Sequence, residues 1–269
     1  MKRILLALTL LFALLATAGC GAATRTAPAA GSAQPADSSL SDVQKHGKLE
    51  IGMSGQYPPF AYRQEDGKLI GFDIDITTEI ARRLGVQPDY VTMPFKGLVA
   101  ALDASRFDLI ANQMAITPER QQRYAFSTPY VQSGSQLLVA KSNTSINSLA
   151  DVKGKTFAAS EGSNYEKILK DAGAKIQYYT NNATIYSDIA AGRIDGDMND
   201  RLQVAYLVEH SGLPLRAAGD PGQKVPVALM FRQGNTTLVN AVNKALADMQ
   251  ADGTFLKISQ QWFGQDVSK

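Results

Sequence analysis

The stretch DLIANQMAITPERQQRYAFSTPY, residues 108–130, decides how the rest of the chain is read. Residues 108–111 make a short apolar strand, which the amides of Asn112 and Gln113 bring to an end. Thr117-Pro118-Glu119-Arg120 then has the makings of a helix start: a hydroxyl N-cap, proline at the first helical position and an acid in the first turn. An arginine placed there, at a strand's carboxyl end, can face the crevice where open α/β sheets bind ligands. Its planar fork holds a carboxylate by two parallel charge-assisted hydrogen bonds. Arg120 can equally be a solvated surface charge, like Arg123, and spacing alone leaves both readings open.

Outward from this stretch, short apolar runs alternate with amphipathic segments, the signature of βαβ units around largely parallel sheets. Before it come strands at 48–53 and 86–93, a loop at 54–60 with Gly55, Pro58 and Pro59, and a helix at 96–104. A further helix opens at Gly71-Phe72-Asp73, carries Ile76, Ile80 and Leu84 at intervals of four, and ends near Gly85. After it, Ser133-Gly134-Ser135 marks a change of character, and 136–141 is an extended crossing segment. A helical turn at 146–152 is followed by strands at 155–159, 175–179, 195–199 and 215–218, interleaved with helices at 163–172, 184–192 and 201–211. Residues 225–232 form a second extended crossing, and helices at 237–252 and 254–262 complete the chain. The expected architecture is α/β with two lobes: 41–134 plus 228–269 in the first and 135–227 in the second. Two crossings let the lobes rotate about a pair of extended strands and open or close the cleft between them.

The amino terminus stands apart. Lys2-Arg3, an apolar run at 4–16 and the small residues Thr17-Ala18-Gly19 read as an export signal, residues 1–19. The run is shorter than the roughly 18 apolar residues that a membrane span needs. Cys20 is the single cysteine, so no intramolecular disulfide can form. A lone cysteine at that point resembles the bacterial lipobox, with Thr17 where leucine is usual, and implies a lipidated first residue anchoring the chain to a membrane. Residues 20–40, rich in Ala, Ser, Pro, Gly and Thr, then serve as a flexible tether. Two of the 27 Lys and Arg belong to the signal, and the rest balance the 25 Asp and Glu. With no basic patch, nucleic acid is not an expected partner. No exposed heptad demands association, and a monomer is expected.

Three further places can face the cleft. Gly162-Ser163-Asn164 sits where a strand meets a helix, and the free N–H groups of a first turn attract anions, although many such loops bind nothing. Asp200 lies between a strand and a helix, as an N-cap or as a partner for a cation. Tyr57 and Phe60, with Phe95 after Met93-Pro94, set aromatic faces at strand ends, where they can also plug a core. Together these suit a free amino acid, whose two charges leave water at acceptable cost only when each meets an opposite charge. Arg120 with Ser163 and Asn164 would take the carboxylate, and Asp200 the ammonium.

YPPF at 57–60, GFDID at 71–75, ITPER at 116–120, FSTPY at 126–130, EGSNYE at 161–166, and DGT and WFG near the end resemble, in order, the family 3 extracellular solute-binding proteins. These are the polar amino acid receptors of ABC importers, so the resemblance implies a type II periplasmic-binding-protein fold and a membrane permease as partner. It implies that Arg120 grips the ligand carboxylate, Asp200 the ammonium, and Tyr57 and Phe95 sandwich the side chain. Gln113 and Ala115 add hydrogen bonds, and Asn112, Met114, Gly162, Ser163 and Asn164 complete the implied set. Ala115 stands where Ser or Thr is frequent, so one hydroxyl contact is missing. Asn112-Gln113, Asp200-Arg201-Leu202 and the ending WFGQDVSK look most like the cystine-binding branch, with glutamine or another polar amino acid as alternatives. No metal or cofactor is implied. Exported dehydratases resemble the family too, which makes an enzyme the competing reading. Glu161 is the one candidate acid or base for such an enzyme, and no HExxH, GxSxG or P-loop is present.

Overall fold

The apolar residues that open the 108–130 stretch lie in the middle of a sheet and are buried on both of its faces. Leu109 and Ala111 join one core, and Ile110 and Met114 join the other. The computed structural model describes residues 37–269, Thr180 excepted, and these make one compact unit. The expected signal peptide, the lipidation site Cys20 and tether residues 20–36 lie outside the described residues.

The first sheet runs, in space, Gln87–Thr92, Lys48–Met53, Leu109–Ala115, Val225–Arg232 and Tyr124–Phe126, with Val131–Ser133 also paired to Val225–Arg232. One face packs on the helices Phe72–Leu84, Thr236–Ala251 and Thr254–Phe263 through Ile51, Phe72, Ile76, Ile80, Leu246 and Phe255. Helix Phe95–Asp103 covers the other face with Leu98 and Leu102 against Phe107 and Met230. The second sheet runs Lys175–Gln177, Thr156–Ala158, Gly196–Asp200, Ser135–Ala140 and Leu215–Ala218. Leu138 and Ala140 enter the core beneath helices Asn182–Ala190 and Arg201–His210, while Leu137 and Val139 enter the core beneath Asn164–Asp171. Strands buried on both faces read as continuous apolar runs, which is why no alternation marks them in the sequence.

The architecture is the expected two-lobed α/β fold, with one correction to its sheets. They are mixed rather than largely parallel, because each crossing segment enters the interior of a sheet antiparallel to its neighbours. Ser135–Ala140 is antiparallel to both Gly196–Asp200 and Leu215–Ala218, and Val225–Arg232 is antiparallel to Leu109–Ala115. Between the sheets the two crossings run side by side: Ser133 pairs with Val225, and the Gly222 amide donates to the Ser135 carbonyl at 2.7 Å. Only glycine permits this approach, since a Cβ on Gly134 would meet the Gly222 carbonyl oxygen at 2.5 Å.

Three local expectations also change. The strand from Leu109 continues through Asn112 and Gln113 to Ala115, because both amides find partners inside the protein. Residues 54–60 hold the strand Gln56–Tyr57, which pairs with Ala61–Arg63 in a small three-stranded sheet. Helix Ser39–His46 begins within the stretch expected to be tether. It is fixed by Val43, which is buried, and by Asp37, whose two oxygens accept from the amides of Ser39 at 2.9 Å and Thr237 at 2.5 Å.

Candidate ligand-binding site

Arg120 owes its position to the local signals of its own stretch. Thr117 caps the short helix Pro118–Gln121, its hydroxyl accepting from the Arg120 amide at 3.3 Å, and Pro118 stands in the first turn. The guanidinium folds back so that one NH donates to the Ala115 carbonyl at 3.0 Å. Among the described residues no carboxylate pairs with it, and burial pushes its pKa below the ordinary arginine value. A guanidinium that is largely desolvated and holds a single neutral partner favours an anion beside it.

Before Arg120 the strand bulges. Ile110 pairs with Met230 and Met114 with Ala228, so the stretch around Asn112 and Gln113 carries two residues more than the partner strand. Gln113 has φ +50°, a left-handed conformation that a non-glycine residue adopts only when its surroundings hold it there. Those surroundings are clear. The Gln113 amide nitrogen donates to Asp73 Oδ1 at 2.7 Å, the Tyr130 hydroxyl donates to the same oxygen at 2.7 Å, and Asn112 Oδ1 accepts from the Ser54 amide at 2.7 Å. Asp73 is fully buried, which pushes its pKa up to about 7 against the lowering by these two donors.

The bulge and Arg120 open onto a cavity of about 210 Å³ walled by both lobes. Of the residues expected at the site, Tyr57, Phe95, Asn112, Gln113, Arg120, Ser163 and Asn164 line it. Ser163 is the N-cap of helix Asn164–Asp171 and accepts from the Glu166 amide at 3.0 Å. Met114, Ala115, Gly162 and Asp200 do not line it. The Met114 side chain belongs to the core with Leu98 and Phe107, so Met114 has only backbone to offer. Ala115 is buried and contributes the carbonyl that holds Arg120. The Gly162 amide donates to Glu166 Oε2 at 2.6 Å, so it is not among the free N–H groups at that helix start.

Asp200 is 1% exposed and caps helix Arg201–His210, its Oδ1 accepting from the Leu202 amide at 2.8 Å and the Ser133 hydroxyl at 2.7 Å. Burial pushes its pKa up to about 6, opposed by those two hydrogen bonds. It sits one residue beyond Asn199, which does line the cavity. Asp200 is also tied through Ser133 to the crossing strands.

Several contacts close the cleft. The Tyr57 hydroxyl donates to Asn199 Oδ1 at 2.7 Å, Asn182 Nδ2 donates to the Gln56 carbonyl at 2.9 Å, and Lys96 Nζ lies 3.4 Å from Glu161 Oε2. Sequence reasoning missed Asn199, Asn182, Tyr165 and Tyr178 on the cavity wall. Asn182 and Tyr178 flank strand and helix ends in the second lobe, the same positional signal that marked Ser163, and that signal was there to be used. Glu161 is exposed and paired with Lys96.

Residues 49–265 match the family described as bacterial extracellular solute-binding proteins, family 3. The chain belongs to that family. It is 39% identical over 233 residues to the L-cystine-binding protein TcyJ of Escherichia coli (strain K12), covering 86% of this chain and 88% of TcyJ. It is 40% identical over 271 residues to the L-cystine-binding protein TcyA of Bacillus subtilis (strain 168), covering the whole of both. Among solved structures, an ancestral arginine-binding protein bound to glutamine superposes with a TM-score of 0.77 at 36% identity, over 81% of this chain and 99% of that one. AncCDT-1, an ancestral amino acid-binding protein and precursor of cyclohexadienyl dehydratase, superposes with a TM-score of 0.78 at 33% identity, over 83% and 99%. Among the described residues, no helix of this family member is long and apolar enough to cross a membrane.

Proposed function

We propose that this chain is the extracytoplasmic amino-acid receptor of an ABC importer, that its ligand is cystine, and that it is a binding protein rather than an enzyme. The observation that carries the amino-acid reading is Arg120, a largely desolvated cation without a carboxylate partner on the wall of a cavity between two lobes. In this account Arg120 takes the α-carboxylate, with Ser163 and Asn164 beside it. Asp200 takes the α-ammonium, reached as the lobes settle on the ligand, and Tyr57 and Phe95 flank the side chain. The bulge at Asn112 and Gln113 offers backbone groups. Lobe 1 comprises 41–134 with 228–269 and lobe 2 comprises 135–227, turning about the paired crossings at Gly134 and Gly222. Cystine is favoured over glutamine by the two relatives named for it. The chain is exported, lipidated at Cys20, held at the membrane by its tether as a monomer, and delivers its ligand to a permease.

The test is a thermal-shift screen of the chain from Asp37 onward against the common amino acids and cystine, with calorimetric titration of each hit. A ligand at about 100 times its Kd stabilises the folded state by about 2.7 kcal/mol. At roughly 2–4 °C per kcal/mol for a chain of this size, that is a shift of about 5–11 °C. A shift with cystine alone supports both parts of the proposal. One with another amino acid keeps the receptor and removes cystine, and silence across the panel refutes both.

A further inference from the structure

We infer that Lys96 and Glu161 form a second charged subsite at the mouth of the cleft, which takes the distal amino-acid head of a two-headed ligand. The inference rests on the reading of the cavity as an amino-acid site and adds what that reading lacks, a reason for selecting one amino acid over another. Arg120 and Asp200 supply one cation and one anion, enough for a single zwitterionic head, and every α-amino acid carries that head. Discrimination has to come from elsewhere on the wall.

Lys96 is the second residue of helix Phe95–Asp103, and Glu161 lies in the loop ahead of helix Asn164–Asp171. They reach across the cleft to each other at 3.4 Å and border the same cavity as Arg120. Their side chains are 66% and 55% exposed, so the pair faces solvent, whereas Asp200 is 1% exposed and lies behind the wall beside Asn199. The cavity is therefore bordered by Arg120, with Asp200 buried behind Asn199, and by a second pair of opposite charges nearer to solvent. The same wall carries Phe95, Tyr165 and Tyr178. Aromatic faces suit a polarisable disulfide.

An exposed ion pair contributes little by itself, because water already solvates both charges well. A ligand with one head leaves the Lys96–Glu161 pair as it is. A ligand whose second head reaches the mouth exchanges that one pair for two, its distal carboxylate on Lys96 and its distal ammonium on Glu161. Those new pairs join the ligand to both lobes at once, so they form only when the cleft is closed.

The experiment compares L-cystine with S-methylthio-L-cysteine, which keeps the disulfide and one head but lacks the second. Calorimetric titration of the chain from Asp37 onward, as wild type, Lys96→Met and Glu161→Gln, gives the ratio of the two affinities. The wild type is expected to favour cystine, and each variant to reduce that preference about three- to fivefold, the upper range for a solvent-facing ion pair. An unchanged ratio overturns the inference, whether both ligands weaken together, as a plain lobe-closing contact would have it, or neither does. If the wild type binds other amino acids and not cystine, the subsite falls while the receptor stands. If it binds no amino acid at all, the receptor reading has failed first.

Discussion

Replacing Arg120 by alanine separates binding from folding more cleanly than any other change to this protein. In the ligand-free state the guanidinium makes one side-chain hydrogen bond, to the Ala115 carbonyl, and no ion pair among the described residues. Losing that bond costs on the order of 1 kcal/mol, partly offset by removing a desolvated charge. The melting temperature should therefore move by no more than about 4 °C. Binding is another matter. A ligand carboxylate brought into the cavity without its partner leaves an uncompensated charge, at a cost of about 3–5 kcal/mol. At about 1.4 kcal/mol per decade, that is a loss of affinity of roughly 140- to 4,000-fold. Isothermal titration of the wild type and the variant with the same ligand, beside a thermal melt of each without ligand, measures both quantities. Wild-type affinity in Arg120→Ala refutes the assignment of the carboxylate site, and a collapsed melt shows that Arg120 serves the fold instead.

Asp200→Asn keeps an acceptor oxygen for Leu202 and Ser133 and removes only the charge, so the helix cap should survive while ligands with a free α-ammonium weaken at least tenfold; equal wild-type binding of an N-acetylated ligand would contradict this. Burial raises Asp73 and Asp197 to about 7 and Asp200 to about 6, from an ordinary value of 3.8. The unfolded chain thus releases these protons first, and the stability they confer is complete below about pH 3.8 and is lost as pH rises through 6 and 7. The ligand-free protein should melt higher at pH 5 than at pH 8, by up to about 1.4 kcal/mol per group per pH unit, and Asp73→Asn should flatten that slope; a melt that rises with pH refutes it. Gly134→Ala drives a methyl to 2.5 Å from the Gly222 carbonyl and should cost about 1–3 kcal/mol in a thermal melt, whereas an unchanged melt would mean that the crossings part freely.

Elements marked by local rules were legible in the sequence. The Gly71 start and Gly85 end of one helix, the Thr117-Pro118 start of another and the strand-to-helix junction at Ser163 depend on residues within a few positions of each other, and all are found. What pattern alone could not show depended on distant partners. Asn112 and Gln113 look like a strand's end until Ser54, Asp73 and Tyr130 are known to accept and donate there. The mixed sheets follow from crossing strands being inserted between others, an ordering that no local signal records. At the cleft, Arg120, Tyr57 and Ser163 were visible from helix-start and loop chemistry, whereas the engagement of the Gly162 amide by Glu166, four residues on, was not. Lys96 carried no local signal, since its approach to Glu161 joins residues far apart in the chain.

The most direct test of the central claim is a crystal structure of residues 37–269 grown with L-cystine. One α-carboxylate is expected in a bidentate contact, about 3 Å from the guanidinium of Arg120, with the adjacent ammonium at hydrogen-bond distance from Asp200. A ligand seated in the cleft with neither group on those residues, or bound away from the cleft altogether, would contradict it.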